Sequence, residues 1–337
     1  MKTPITLITG FLGSGKTTLL RELLLDPAMG ETAVLVNELG EIPLDHHLLT
    51  RVDERTVVLA SGCICCTIRQ DLADELRDLD TRRTRGEIPA FSRVAIETTG
   101  LADPVPILGT LLADPLVEAH YRVDGVVTTI DGVNGASQLT RQPEAAKQVA
   151  IADRLLVTKS DLADPAELAA LRARLRRLNP GAPLVDVVHG RLAASAVIGV
   201  SARDGAELLQ QTVAFEAAVE RHVDPHAHAP RDAHDHRVRA FSLRFDQPLD
   251  WTMFGIWLSM LLAARGEDVL RVKGLMNVVG SPGPVLINGV QHVIHPPLHL
   301  ATWPDDDRES KLVIIARDIA VVDVERSLSH FQTLAAL

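Results

Sequence analysis

Aromatic residues are scarce in this chain, with one Tyr, three Trp and seven Phe among 337 residues. An interior short of rings must be filled by Leu, Val, Ile and Ala, and a hydrophobic content of 46% supplies them. Basic residues are in deficit as well. Lys and Arg number 34 against 44 Asp and Glu, a formal charge of −10, which argues against nucleic acid or an anionic membrane as the main partner. The local basic runs Arg82-Arg83-Thr84-Arg85 and Arg172 to Arg177 read as solvated helix faces. No apolar stretch reaches the ~20 residues that a bilayer span needs. The start of the chain lacks the charged, then apolar, then small-residue order of a secretory signal, so the expected location is cytoplasmic. Cysteine is almost missing: the chain has three, Cys63, Cys65 and Cys66, too crowded for a disulfide framework.

A chain of 337 residues exceeds the size at which one core keeps growing, so two domains are expected. Short runs apolar on both faces recur at Ile5 to Ile8, Ala33 to Val36, Val57 to Leu59, Val94 to Ile96, Val126-Val127 and Arg154 to Val157. They alternate with helical patterns such as Lys16 to Leu25 and Ala166 to Leu178, which predicts an α/β fold with a doubly wound, mostly parallel sheet. From His222 to His236 apolar periodicity stops and five histidines appear: His222, His226, His228, His234 and His236. That segment reads either as a polar tether or as a weak metal gatherer. Beyond it, strand-like runs at Arg237 to Phe245, Leu270 to Val279, Val285 to Val290 and Leu312 to Ala316 join a helical pattern at Trp251 to Ala264. An amphipathic close carrying Val324, Leu328, Phe331 and Leu334 completes a smaller α+β domain. The expected division is a nucleotide-binding domain over 1–220, a His-rich linker over 221–236 and a C-terminal domain over 237–337.

The chemistry begins at Gly10-Phe11-Leu12-Gly13-Ser14-Gly15-Lys16-Thr17, which fits G-x-x-x-x-G-K-[ST] between a predicted strand and a predicted helix. Backbone N–H groups of Gly10, Gly13, Ser14, Gly15 and Thr18 turn toward phosphate oxygens in such a loop, Lys16 reaches the β- and γ-phosphates, and the Thr17 hydroxyl ligates Mg²⁺. Glu97-Thr98-Thr99-Gly100 closes another strand. There the Glu97 carboxylate would lie beside Mg²⁺ or the attacking water, with the Gly100 N–H at the γ-phosphate. Thr158-Lys159-Ser160-Asp161 chooses the base, because the Asp161 carboxylate can accept from guanine N1–H and N2–H₂, groups adenine lacks, while the Lys159 stem packs on the ring. Ser201-Ala202 is a candidate for a backbone N–H at the guanine O6.

Cys63, Cys65 and Cys66 follow the third strand. Thiolates one residue apart converge on a soft or borderline ion such as Zn²⁺, Co²⁺, Ni²⁺ or Cu⁺. A fourth ligand would come from Glu38, Glu41, His46 or His47, and an incompletely closed site suits transfer better than permanent structure. Small buried hydrophobes and a redox pair are the other readings of the cysteines. His120, His189, His292, His295, His299 and His330 carry no signal.

The order of these motifs resembles one family, the CobW-like GTPases of the SIMIBI class of P-loop proteins. Gly10 to Thr18, Asn37-Glu38-Leu39-Gly40-Glu41, Gly62-Cys63-Ile64-Cys65-Cys66, Glu97 to Gly100 and Thr158 to Asp161 carry the match, and it spans essentially the whole chain. The resemblance implies GTP hydrolysis to GDP, and a metallochaperone for zinc, or for cobalt, that serves a client metalloprotein or cofactor pathway. It implies metal at Cys63, Cys65 and Cys66 and nucleotide at Lys16, Thr17, Glu97, Lys159 and Asp161. Thr158 departs from the usual Asn, so guanine selectivity rests on Asp161. A metal buffer or sensor with a regulatory nucleotide site is the alternative, and a small-molecule kinase a more distant one. No catalytic Arg stands in the nucleotide motifs, so slow intrinsic hydrolysis is expected, from a monomer or weak homo-oligomer.

Overall fold

Strands without a polar face need cover on both sides, and the architecture supplies it. The computed structural model describes residues 2–37, 57–61, 68–200, 205–222, 238–303 and 306–335. The chain divides into two units, Met1–Arg172 with Pro183–Ser201, and Ala173–Ala182 with Ala202–Leu337. In the first, β1 (Thr3–Gly10), β2 (Thr32–Asn37), β3 (Val57–Ser61), β4 (Arg93–Glu97), β5 (Tyr121–Asp131), β6 (Arg154–Thr158) and β7 (Leu184–Val187) form one sheet in the order β3-β2-β4-β1-β5-β6-β7. Every pairing in it is parallel. From β1 the chain crosses to β2 on one side, whereas from β1's neighbour β4 it crosses the other way to β5, so the crevice at the carboxyl ends of β1 and β4 is the topological switch point, where such sheets bind ligands.

The helices of this unit are α1 (Lys16–Leu23), α2 (Ile68–Thr84), α3 (Val105–Ala113), α4 (Pro115–His120), α5 (Gly135–Arg141) and α6 (Pro143–Ile151), with the first part of α7 (Pro165–Leu178), whose residues from Ala173 onward fall in the second unit. Their starts follow local chemistry. Asp114 accepts from the amides of Leu116 and Val117, and Asp164 from those of Ala166 and Glu167, each with a Pro in the first turn. The expected helix to Leu25 ends at Leu23, because Pro27 disfavours helical backbone at Asp26, whose carboxylate instead accepts from the amide of Ala28. One core layer, built from Ile8, Leu19, Leu20, Val34, Val127, Leu156 and neighbours, is wholly aliphatic. The run at Val126-Val127 proves to be the middle of an eleven-residue strand, whose buried Thr128 hydroxyl donates to the carbonyl of Gln148.

The second unit concentrates the aromatics. Six antiparallel strands, β8 (Val238–Phe245), β9 (Val269–Met276), β10 (Val285–Val290), β11 (Val293–Ile294), β12 (Leu298–His299) and β13 (Ser310–Arg317), follow the order β11-β10-β9-β13-β8, with β12 beside β10. Phe241, Phe254 and Trp257 are buried between this sheet and the helices α9 (Trp251–Arg265) and α10 (Val321–Ala335). Helix α8 (Gly205–His222) packs on β8, β9 and β13. Its buried Glu216 meets Arg244 at 2.8 Å and Lys311 at 3.3 Å. That helix contains His222; His226, His228, His234 and His236 lie outside the described residues.

Candidate functional site

Only glycine can make the turn after β1. Gly10, Gly13 and Gly15 have φ of 142°, 72° and 89°. A Cβ on Gly10 would stand 2.4 Å from the Thr129 carbonyl oxygen, so the loop lies directly on β5. The Ser14 hydroxyl is 2.6 Å from that of Thr129, and the Thr158 hydroxyl donates to the Ser14 carbonyl at 2.7 Å and to that of Ile130 at 3.1 Å. Thr158 is thus a clamp between β6 and the loop. Lys16 is buried, and its ammonium donates to the carbonyls of Gly10 at 3.0 Å and Phe11 at 3.3 Å. Gly15 precedes the first turn of α1, and Thr18 stands exposed in that turn, so the positive end of the helix faces the loop.

Glu97 ends β4 beside this loop, 4% exposed, and its Oε1 accepts from the Thr17 hydroxyl at 2.6 Å. The two oxygens expected at Mg²⁺ are therefore together, and hard oxygen donors of this kind fit that ion. Thr98 donates to the Thr9 hydroxyl at 2.8 Å and its amide to the Ile8 carbonyl at 3.0 Å. Gly100 comes so close to the loop that a Cβ there would be 2.6 Å from the Leu12 nitrogen.

At the far end of the loop, Lys159 adopts a φ of 54°, and its ammonium bridges the Gly13 carbonyl at 2.8 Å and Asp131 Oδ2 at 2.7 Å. Asp131, at the end of β5, also accepts from the amides of Val133 and Asn134 and from the Asn134 side chain. Burial works to raise its pKa, but the hydrogen bonds from Lys159, Asn134 and Val133 outweigh that and hold it below the usual carboxylate range. Sequence reasoning missed Asp131; an acidic residue closing an apolar strand was the available signal.

Asp131→Asn is expected to lower unfolding free energy by about 1–3 kcal/mol by weakening a buried, charge-assisted pair. A depressed folded pKa gives stability that is present above the unfolded value, about 3.9, and is lost as pH falls through the folded one. Denaturant titrations should therefore show a constant difference from the wild type at pH 5–8, shrinking below pH 4.

Asp161 stands at the rim after β6, with His189 Nε2 at 3.8 Å from its Oδ2. His189 and Gly190, with φ of 53° and 73°, follow β7, and a Cβ on Gly190 would lie 2.9 Å from the Thr18 carbonyl. The loop that the structure brings beside Asp161 and α1 is thus His189–Gly190. Ser201 and Ala202 lie outside the described residues; Gly199, just before them, donates to Asp124 in the amino-terminal half of β5.

Cys63, Cys65, Cys66, Glu38, Glu41, His46 and His47 lie outside the described residues too. The strands that lead to them are described. Asn37 and Ser61, the last residues of β2 and β3, are register partners, and Val36 is the partner of Glu97. The chain therefore departs toward Glu38 and toward Cys63 from points about one strand spacing apart, ~4.8 Å, next to the strand that ends in Glu97. Among the described residues no three His, Cys, Asp or Glu gather at a metal-binding distance, and no helix is long and apolar enough to cross a membrane.

The nucleotide-binding domain of the CobW/HypB/UreG family matches residues 4–186, and the C-terminal domain of the cobalamin synthesis protein CobW matches 238–332. The zinc chaperone YjiA of Escherichia coli (strain K12) is 33% identical over 311 residues, 92% of this chain and 93% of its own. The zinc chaperone CobW of Pseudomonas aeruginosa is 29% identical over 362 residues, 94% of this chain and 88% of its own. The crystal structure of Zn(II)-bound YjiA GTPase from E. coli is similar with a TM-score of 0.75 at 26% identity, over 98% of this chain and 99% of that one.

Proposed function

Because the chain belongs to the CobW family of P-loop GTPases, we propose that it is a zinc metallochaperone that loads its ion at Cys63, Cys65 and Cys66 and gives it up to a client metalloprotein in step with GTP hydrolysis. One observation carries this reading: the partnership of Asn37 with Ser61, alongside that of Val36 with Glu97. It starts the cysteine segment and the Glu38 segment on neighbouring strands, beside the carboxylate nearest the phosphate loop. Similarity to proteins named zinc chaperones supports zinc as the cargo.

In this reading the contacts described above are exchanged for contacts to the nucleotide. Lys16 leaves the Gly10 and Phe11 carbonyls for phosphate oxygens, a charge-assisted replacement for two neutral acceptors. Thr17 and Glu97, whose side-chain oxygens already meet, would together hold Mg²⁺, which would supply charge neutralisation at the β- and γ-phosphates. The Glu97 carboxylate would lie beside that ion or beside the water that attacks the γ-phosphorus. Asp161 accepts the guanine N1–H and N2–H₂, while Lys159 keeps the loop and β5 in one piece.

The segment after Asn37 senses the γ-phosphate and meets the cysteines only while GTP is bound. Linkage then requires metal and GTP to strengthen one another by one factor. Competition with a chromophoric chelator should give a Zn²⁺ affinity about tenfold higher with a non-hydrolysable GTP analogue than with GDP. The difference should vanish in Cys65→Ser. Equal affinities in the wild type would refute the coupling.

A further inference from the structure

Gln148 is a polar side chain in a place that ordinarily takes an apolar one. It sits on α6, 1% exposed, among buried Ala145, Ala146, Val149 and Ile151. Its Nε2 donates to the Ala102 carbonyl at 3.1 Å and to the Gly100 carbonyl at 3.3 Å. Two carbonyl partners fix which end of the carboxamide is nitrogen, since the oxygen cannot donate. The other end is buried, and its Oε1 has no hydrogen-bond partner among the described residues. Leaving a buried acceptor unmade is costly, so packing alone would favour Leu or Met here.

The two carbonyls belong to one short turn. The Ala102 amide donates to the Thr99 carbonyl at 3.1 Å, which closes the turn, and Gly100 lies hard against Leu12 of the phosphate loop. The next residue of the segment, Asp103, pairs with Lys147 of the same helix at 2.9 Å and accepts from the Val105 amide. Helix α6 is itself tied to the sheet, because the Gln148 carbonyl accepts from Thr128 of β5. Strand β5 also carries Thr129, which touches Ser14. The turn after β4 is thus held from behind by a helix that belongs to none of the nucleotide motifs.

We propose that Gln148 is a positioning residue for GTP: by gripping the Gly100 and Ala102 carbonyls it presets the Gly100 amide for the γ-phosphate and so sets the preference for GTP over GDP. This rests on the reading that Gly100 meets the γ-phosphate. A GDP complex has nothing at that position, so losing the grip costs GTP alone.

Gln148→Met keeps the volume and removes the donor. Its affinity for a non-hydrolysable GTP analogue is expected to fall about tenfold, the size of one buried hydrogen bond, with kcat falling alongside and GDP affinity changing less than about twofold. Gln148→Glu can donate only when protonated, so its ratio of GTP-analogue to GDP affinity should recover as pH is lowered; a purely structural role would move both nucleotides together at every pH. An equal loss for both nucleotides, or a pH-independent ratio in Gln148→Glu, overturns the proposal. Lys16→Ala separates the two readings. If it keeps full nucleotide affinity the phosphate site itself is misplaced, whereas if it loses affinity and Gln148→Met does not discriminate, the role of Gln148 alone is wrong.

Discussion

Asp161→Asn is expected to weaken guanine-nucleotide binding by about a thousandfold, the worth of two hydrogen bonds to a charged acceptor, and to make xanthine nucleotides the better ligands. Guanine offers two donors, N1–H and N2–H₂, to a carboxylate that can accept both. Asn accepts one and turns an N–H₂ toward the other, where xanthine has a carbonyl. The local frame should survive the change. The turn that carries Asp161 is set by the left-handed backbone of Lys159 and closed by the Leu162 amide on the Lys159 carbonyl at 3.1 Å, neither of which uses the carboxylate. Displacement of a fluorescent GDP analogue by GDP, XDP and ADP reads the outcome. A wild type that binds ADP as tightly as GDP, or a variant with unchanged guanine preference, would show that the base is selected elsewhere, with His189 the nearest alternative.

Lys16→Ala is expected to lower GDP and GTP affinity by about a hundredfold and hydrolysis by at least as much, since charge-assisted hydrogen bonds to phosphate contribute about 1.5–3 kcal/mol each. In the structure this ammonium donates to the Gly10 and Phe11 carbonyls. Its removal leaves neutral acceptors at the loop and takes a burdensome buried cation away, so the thermal unfolding midpoint without nucleotide should change little. The stabilisation normally added by saturating GDP should largely disappear. Calorimetric titration alongside thermal scans separates the two effects. Wild-type-like GDP binding by a folded Lys16→Ala protein would remove the phosphate loop from the site.

The parts of the site written in consecutive residues were legible in the sequence. The phosphate loop, the acidic end of β4 and the Thr158 to Asp161 segment each sit in a contiguous motif, and the strands before them are apolar on both faces because both faces are covered. The strand order was not legible, since β1 lies between β4 and β5 through pairings about 90 and 120 positions apart in the chain. Asp131 and Gln148 were missed for a related reason. Each acts on a loop distant in sequence, Asp131 on Lys159 and Gln148 on Gly100, and neither spacing leaves a periodic trace. His189 looked like an ordinary surface histidine because its meaning depends on β7 lying beside β6. The scarcity of aromatics in the chain as a whole was legible, yet their gathering at Phe241, Phe254 and Trp257 is a property of three-dimensional packing. Thr158 read as a weakened version of Asn, while its hydroxyl in fact joins the phosphate loop to two strands, β5 and β6.

The sheet has two distinct neighbourhoods. Strands β1, β5 and β6 carry the cross-linked cradle of Ser14, Thr129, Asp131, Thr158 and Lys159, whereas β2 and β3 form the opposite margin, where the chain leaves for the cysteines. None of those cradle bonds is made by a described residue of β2 or β3. Under the proposed function, a chimera carrying another ion's binding segment between β2 and β4 should therefore keep the cradle and its guanine preference while taking that segment's cargo, and its turnover should change only as far as the new segment couples differently to the γ-phosphate.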